Sequence, residues 1–105
     1  DKAVAKGAAR LALKGWAYGR LAEGAHKRYA KCWYEPIDDP ELGSLALRFT
    51  LSQPITAAIP PGEAKLFRLA MDIAEQYAPL SEAEMEILRQ KARDSAPLFR
   101  LQSAA

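Results

Sequence analysis

The residues with the clearest capacity for chemistry form a short turn, Pro60–Gly62, between an apolar segment and an amphipathic one. A strand that runs through a glycine-containing turn into a helix presents backbone N–H groups and the positive end of the helix dipole to an anion. Lys65 and Arg68 follow and would add positive charge, whereas Glu63 opposes an anion in the same first turn. The pattern predicts a weak phosphate site. The alternative is that both cations are simply solvated helix residues.

The other potentially reactive side chains have structural explanations. The lone Cys32 excludes an internal disulfide and a cysteine-based zinc cluster. His26 lies in a basic stretch that is expected to be a solvated loop. Three acidic residues fit helix-start roles, namely Asp39, Glu82 and Glu84. The sequence therefore assigns no catalytic residue and no metal ligand.

Composition predicts a single segment, residues 1–105, with the hydrophobic content of an ordinary globular protein. Half of the residues are hydrophobic and 27% are charged, which argues against a disordered chain. No apolar run approaches the roughly 18 residues of a membrane span, and the first ten residues lack the apolar core of a secretory signal. Cytoplasmic localisation is the resulting expectation.

Positive charge is concentrated in the first third of the chain. Residues 1–31 carry eight Lys or Arg against two acidic residues. Such a segment is compatible with nucleic acid or an anionic membrane. No nucleic-acid-binding module is recognisable, however, so a solvated basic face is the preferred interpretation. We expect neither nucleic acid nor membrane as a partner.

Element signals are strong after residue 39. Asp39 followed by Pro40 starts a helix, and Pro54 ends it. A capping-box pattern at Ser81 starts the last helix. The expected elements are helices over residues 40–53, 63–77 and 82–93 and a strand over Ile55–Ile59. Beyond them, the apolar residues Leu98, Phe99 and Leu101 are expected to cover a surface.

The first third is ambiguous from its residues alone. Alanine, lysine and leucine dominate residues 1–16, and their intrinsic propensity favours helix. Residues 19–35 are rich in charge and aromatics and are predicted to form a loop.

One longer stretch has a more specific pattern. Residues 45–62, LALRFTLSQPITAAIPPG, resemble the C-terminal end of the aldo-keto reductases, where a helix of the type ALRWxLSQPxV leads to a last barrel strand, xxIPG. Residues 5–19, AKGAARLALKGWAYG, are similar to that family's seventh-strand region. This register makes Gly7 the end of a helix and Arg10–Trp16 a strand parallel to Ile55–Ile59. The implied fold is the C-terminal third of a (β/α)8 TIM-type barrel, which needs about 250 residues when complete.

The resemblance also implies a function for the parent protein. Aldo-keto reductases transfer a hydride from NAD(P)H to an aldehyde or ketone, and their catalytic residues lie in the first half of the barrel. No position here matches those residues, so the chain alone is expected to be inactive. The loop after the last strand holds the adenosine end of NADP. The implied cofactor-binding residues are Lys14, Gly15, Pro60, Gly62, Lys65 and Arg68.

Two of these positions depart from the family pattern. Lys14 replaces an aromatic residue that stacks on the nicotinamide, and Gly15 replaces a serine that binds the pyrophosphate. In addition, Leu69 stands about where an adenine-binding asparagine is common. These departures weaken the expectation of cofactor binding.

Two kinds of partner are therefore expected. A barrel fragment has open strand edges, which favour self-association or binding to the remainder of the barrel. The rival interpretation is a free-standing, mostly α-helical small bundle that acts as an interaction module without enzymatic activity. A helical first third would favour the bundle, and parallel strands flanked by helices would favour the barrel.

Overall fold

The computed structural model describes residues 1–22, 24 and 26–98, and these form an α/β arrangement of helices around two small sheets. The elements in chain order are α1 (Lys2–Ala5), β1 (Leu11–Ala12), β2 (Ala17–Arg20), β3 (Tyr34–Pro36), α2 (Pro40–Leu51), β4 (Ala57–Ala58), α3 (Ala64–Glu75) and α4 (Glu82–Arg93). None of the helices in these residues has the length and apolar character needed to cross a bilayer. The expected surface cover by Phe99 and Leu101 falls outside the described residues.

The chain begins with a short helix that ends as the resemblance implied. Gly7 has a φ of 67°, in the left-handed region that glycine adopts without strain. Its N–H donates to the carbonyl of Val4 at 3.0 Å, and the next N–H, of Ala8, donates to Ala3 at 2.9 Å. This pair of bonds is a Schellman motif. The prediction that Gly7 ends a helix is confirmed. The alternative prediction of a helix through the whole first third of the chain is wrong.

β1 and β4 are parallel neighbours, as predicted. Leu11 pairs with Ala57, and Ala12 pairs with Ala58. The pairing extends slightly further through hydrogen bonds from Thr56 N to Arg10 O at 2.8 Å and from Ile59 N to Ala12 O at 2.9 Å.

Both strands are shorter than the predicted Arg10–Trp16 and Ile55–Ile59. Lys14 adopts a φ of 59°, which turns the chain out of the β conformation and ends β1. The N–H of Ile55 is used in a local bond to Gln53 O at 2.7 Å, so it is not available to β1. Pro60, which has no N–H, follows at the other end.

A second sheet was not predicted. β2 and β3 pair antiparallel, with an irregularity between Ala17 and Gly19. Both strands fall wholly or partly in residues 19–35, which were expected to be loop, so that prediction is wrong at its two ends. The strands have only four and three residues, too few for an alternating pattern to be recognised.

The three longer helices follow their local signals closely. The Asp39 carboxylate accepts from the N–H groups of Glu41 and Leu42 at the start of α2. The helix ends at Leu51, two residues earlier than predicted, with Ser52 as its C-cap. At α4 the Ser81 hydroxyl accepts from Glu84 N, and the Glu84 carboxylate accepts from Ser81 N, so the predicted capping box is confirmed.

The core is centred on Trp16, which is 3% exposed. Its indole N–H donates to the carbonyl of Gly43 on α2 at 3.0 Å. A Cβ atom at Gly43 would lie 3.0 Å from Cζ2 of the indole, so the ring rests directly on the helix backbone. The other buried apolar residues are Cys32, Ile37, Ala46, Leu47, Leu66 and Ala70.

An arginine joins α2 to α4. Arg48 donates to both carboxylate oxygens of Glu84, at 2.7 and 3.0 Å, and also to the carbonyls of Ala78 and Pro79. Bidentate pairs of this kind fix geometry as well as adding attraction. The hydrogen bond from Arg48, with that from Ser81 N, lowers the pKa of Glu84 from 4.5 to about 2.

Replacing Gly43 with valine tests the contact with the indole. We expect Gly43→Val to lower the free energy of unfolding by about 2 kcal/mol, because the added side chain overpacks the core and displaces the Trp16 indole from the helix backbone. The measurement is urea denaturation followed by tryptophan fluorescence. Gln90→Val on the exposed face of α4 is the control, with an expected loss of about 0.5 kcal/mol from helix propensity. Equal losses in the two variants would contradict the assigned contact.

Replacing Glu84 with glutamine tests the arginine clamp. Because the folded pKa of Glu84 lies below its unfolded value, its stabilisation is present above about pH 4.5 and is lost as the pH falls toward 2. Glu84→Gln should therefore be less stable at pH 7 and should lose less stability between pH 5 and pH 2 than the parent chain. Urea denaturation across this range measures the difference. Glu82→Gln serves as the control and should keep the parent's pH dependence.

Candidate functional site

The carboxyl ends of β1 and β4 lie at the same edge of their sheet, because the strands are parallel. Lys14 and Gly15 follow β1 at this edge, and Pro60–Gly62 follow β4. In open α/β sheets, ligands bind outside the carboxyl ends of the strands. The structure thus brings Lys14 and Gly15 to the same sheet edge as Pro60–Gly62.

Gly15 and Pro60 border a common cleft at this edge. Its other lining residues are Trp16, Leu47, Thr50, Ala58, Ile59, Pro61 and Ala70. The cavity measures only about 10 Å³, which is at the limit of what one water molecule needs. Any nucleotide at this edge would have to lie over the strand ends rather than inside the cleft.

Packing accounts for the glycine at position 15. A Cβ atom there would lie 3.0 Å from Oγ1 of Thr50. That hydroxyl donates to the carbonyl of Ala46 at 2.9 Å, so it is held in place. A serine side chain, which the resembled family carries here, would have to displace Thr50. Contact with Thr50 therefore restricts position 15 to a small residue.

The start of α3 is held in an unusual way. Glu63 is the N-cap residue but makes no side-chain cap, and its carboxylate instead accepts from Lys31 N at 2.7 Å. The Glu63 carboxylate is therefore directed toward the loop and not toward the N–H groups of its own helix. Gly62 is exposed, its φ is not positive, and a Cβ atom would meet nothing within 4 Å. The turn does not require glycine at this position.

Lys65 and Arg68 lie on the exposed face of α3, while Leu66, 1% exposed, packs into the core. In the described part of the chain neither cation is within ion-pair distance of a carboxylate. Helical side chains lean toward the N-terminus of their helix. Both cations are therefore solvated and accessible to a ligand at the start of α3.

The loop between β2 and β3 makes contacts that the sequence did not predict. Through the bond from Lys31 N to Glu63 it lies against the start of α3. Arg28 pairs with Glu35 and Asp38, and the hydroxyl of Tyr29 donates to Asp38 at 3.1 Å. These contacts tie the loop to β3. The only hint in the sequence is the alternation of cations and aromatic residues over residues 26–34.

Three potentially reactive groups beside this loop are kept protonated. Burial raises the pKa of the Cys32 thiol, and the charge of Glu63 raises it further. Burial also raises the pKa of Tyr34, and the pKa of Tyr29 is raised by burial and by its bond to Asp38. None of the three is tuned toward neutral pH, as a nucleophile or general acid would be.

His26 is exposed in the loop, as expected. Over residues 1–22, 24 and 26–98, no three His, Cys, Asp or Glu side chains converge in a way that could hold a metal ion.

Comparison of the chain with protein-family models, with curated proteins and with solved structures found no match. The resemblance of residues 45–62 to the aldo-keto reductases therefore remains a hypothesis.

A double-mutant cycle tests the packing at the strand edge. Gly15→Ala should lower the free energy of unfolding by about 1 kcal/mol through the clash with Thr50. In a Thr50→Ala background the same change should cost less, with a coupling of at least about 0.5 kcal/mol. Chemical denaturation of the four proteins measures the coupling. If the two changes are additive, the clash is not what restricts position 15.

Proposed function

We propose that the chain is the C-terminal part of an aldo-keto-reductase-like (β/α)8 barrel, from an NAD(P)H-dependent oxidoreductase that acts on aldehydes or ketones. The observation that carries this proposal is the parallel pair of β1 and β4, whose connection contains β2 and β3 and then α2. Strand, helix and parallel strand form the repeating unit of such barrels. Lys14, Gly15, Pro60 and Gly62, which the resemblance implies for cofactor binding, follow the carboxyl ends of this pair.

Exposure of the sheet supports the idea that further strands complete it. Leu11 in β1 is 59% exposed, and Leu13, the residue that follows β1, is 66% exposed. A two-stranded sheet is marginal in water and leaves unpaired backbone edges. Further strands of the barrel would cover both the apolar side chains and the edges. The proposed partner is therefore the remainder of the barrel.

Arg10, next to β1, is a second sign of a missing neighbour. Its Nε and Nη1 atoms are shielded from solvent and have no hydrogen-bond partner among the described residues. A buried donor without a partner costs about 1–3 kcal/mol, and more when the group is charged. A carboxylate from an adjoining barrel element would pair with the guanidinium. Arg10 lies at the amino end of β1, away from the proposed cofactor edge.

The role of this segment would be to hold the adenosine end of NADP. The first-turn N–H groups of α3 have no side-chain cap, and Lys65 and Arg68 are accessible beside them. These groups suit a phosphate. The hydride for carbonyl reduction would come from the nicotinamide, and the residues of this chain would bind and orient only. The rival helical module is disfavoured, since it predicted a helical first third.

Titration of the ¹⁵N-labelled chain with adenosine 2′,5′-bisphosphate tests the cofactor site. We expect amide shifts in residues 62–65 that weaken with added salt, because the attraction is electrostatic and exposed. Lys65→Ala and Arg68→Ala should each reduce affinity about two- to fivefold, the effect of one exposed charge pair. Glu63→Gln should increase affinity, because it removes a negative charge and keeps an oxygen for Lys31 N.

Arg93→Ala, an exposed cation at the end of α4, is the matched control and should leave the titration unchanged. If the amides of residues 62–65 stay unmoved in every variant, α3 has only a packing role and the cofactor proposal fails.

A further inference from the structure

A larger cleft lies between β2, α2 and α4. Its volume is about 400 Å³, within the range of small-molecule sites. Ile37 and Ala46 are buried beneath it, and Met85 and Leu88 of α4 are half-buried beside it. Such walls favour an apolar ligand, because they remove its surface from water and offer little hydrogen bonding.

The charged residues around this cleft are all basic. Arg89 and Lys91 line it, and no acidic side chain does. Arg89 forms an ion pair with Glu86 at 3.5 Å and a longer one with Glu82 at 3.9 Å. Within the described part of the chain, Lys91 has no ion-pair partner. Among the described residues that line the cleft, Lys91 is therefore the one cation whose charge is not compensated by a carboxylate.

We propose that the cleft between β2, α2 and α4 binds a small apolar molecule with a single anionic group, of the medium-chain fatty acid type. The alkyl chain packs against Met85 and Leu88, and the carboxylate lies near Lys91. A nucleotide is a poor occupant, since its many polar groups would lack partners there. The inference does not rest on the proposed cofactor function, although Gly15 borders both clefts.

Ligand charge provides the first test. Decanoate, below its micelle concentration, should shift the amides of Ala46, Leu88 and Ala92 in the ¹⁵N-labelled chain. Decyltrimethylammonium has the same chain length and the opposite charge, and it should bind several-fold more weakly. Lys91→Gln should reduce decanoate affinity about two- to fivefold, whereas Lys6→Gln, just after α1, should not change it. Equal binding of the two amphiphiles would overturn the proposal.

Two alanines of α4 provide a matched pair for testing the location. Ala92 and Ala83 are both exposed on this helix, but only Ala92 lines the cleft. Ala92→Phe should fill the cleft and reduce decanoate affinity at least tenfold, and Ala83→Phe should leave it unchanged. Because both sites are exposed, both variants should unfold like the parent. Equal effects of the two substitutions would refute the location.

Two further measurements separate this proposal from the alternatives. Adenosine 2′,5′-bisphosphate should not displace decanoate, and displacement would mean that the cleft belongs to the cofactor site. The second measurement is sedimentation of the parent chain and of the Ala92→Phe variant. If decanoate does not bind the parent chain, and the variant sediments differently from the parent, the cleft is a contact between chains and the ligand proposal is wrong.

Discussion

The seating of Trp16 on the backbone of α2 is the contact on which the other elements depend. Its indole N–H donates to Gly43 O, and its own carbonyl accepts from Ile37 N at 2.7 Å. This one residue, between β1 and β2, therefore joins the chain just after β3 to the first turn of α2. A buried indole needs a partner for its N–H, and Gly43 provides this partner only because it has no side chain to hold the ring away.

Helix α2 sets the geometry of both candidate sites. On one side Thr50 packs against Gly15 and leaves almost no space behind the carboxyl ends of β1 and β4. On the other side Ala46 and Phe49 border the larger apolar cleft. Arg48 lies between these residues in sequence and binds Glu84 of α4, so it fixes the opposite wall of that cleft. The small residues of α2 thus determine how close its neighbours approach.

The loop between β2 and β3 provides chemistry of a different kind. Cys32 is 2% exposed, whereas the adjacent Trp33 is 84% exposed with Lys27 4.6 Å from the centre of its ring. The buried thiol is part of the hydrophobic core, and its pKa is raised by burial and by the charge of Glu63. Contact with Glu63 holds this loop at the start of α3. The loop and the start of α3 therefore lie side by side.

The sequence by itself determined the elements whose hydrogen bonds are local. The Asp39 cap and the Ser81–Glu84 box each depend on groups a few residues apart, so residue types and spacing were sufficient to predict them. The end of α1 at Gly7 was predicted only through resemblance to a family. Parallel pairing of β1 and β4 was predicted as well, but only through resemblance to a family. The residues of two such short strands carry no register of their own.

Only the tertiary structure decided which distant groups meet. The partners in the Trp16–Gly43 and Arg48–Glu84 bonds are separated by 27 and 36 residues. No spacing rule predicts such pairs, because they form when whole elements pack and exclude water. The same holds for the diversion of Glu63 to Lys31, for the clash that keeps position 15 a glycine and for the cleft between α2 and α4. Capping and helix bounds followed from the chain, whereas the shape and charge of each site followed from packing.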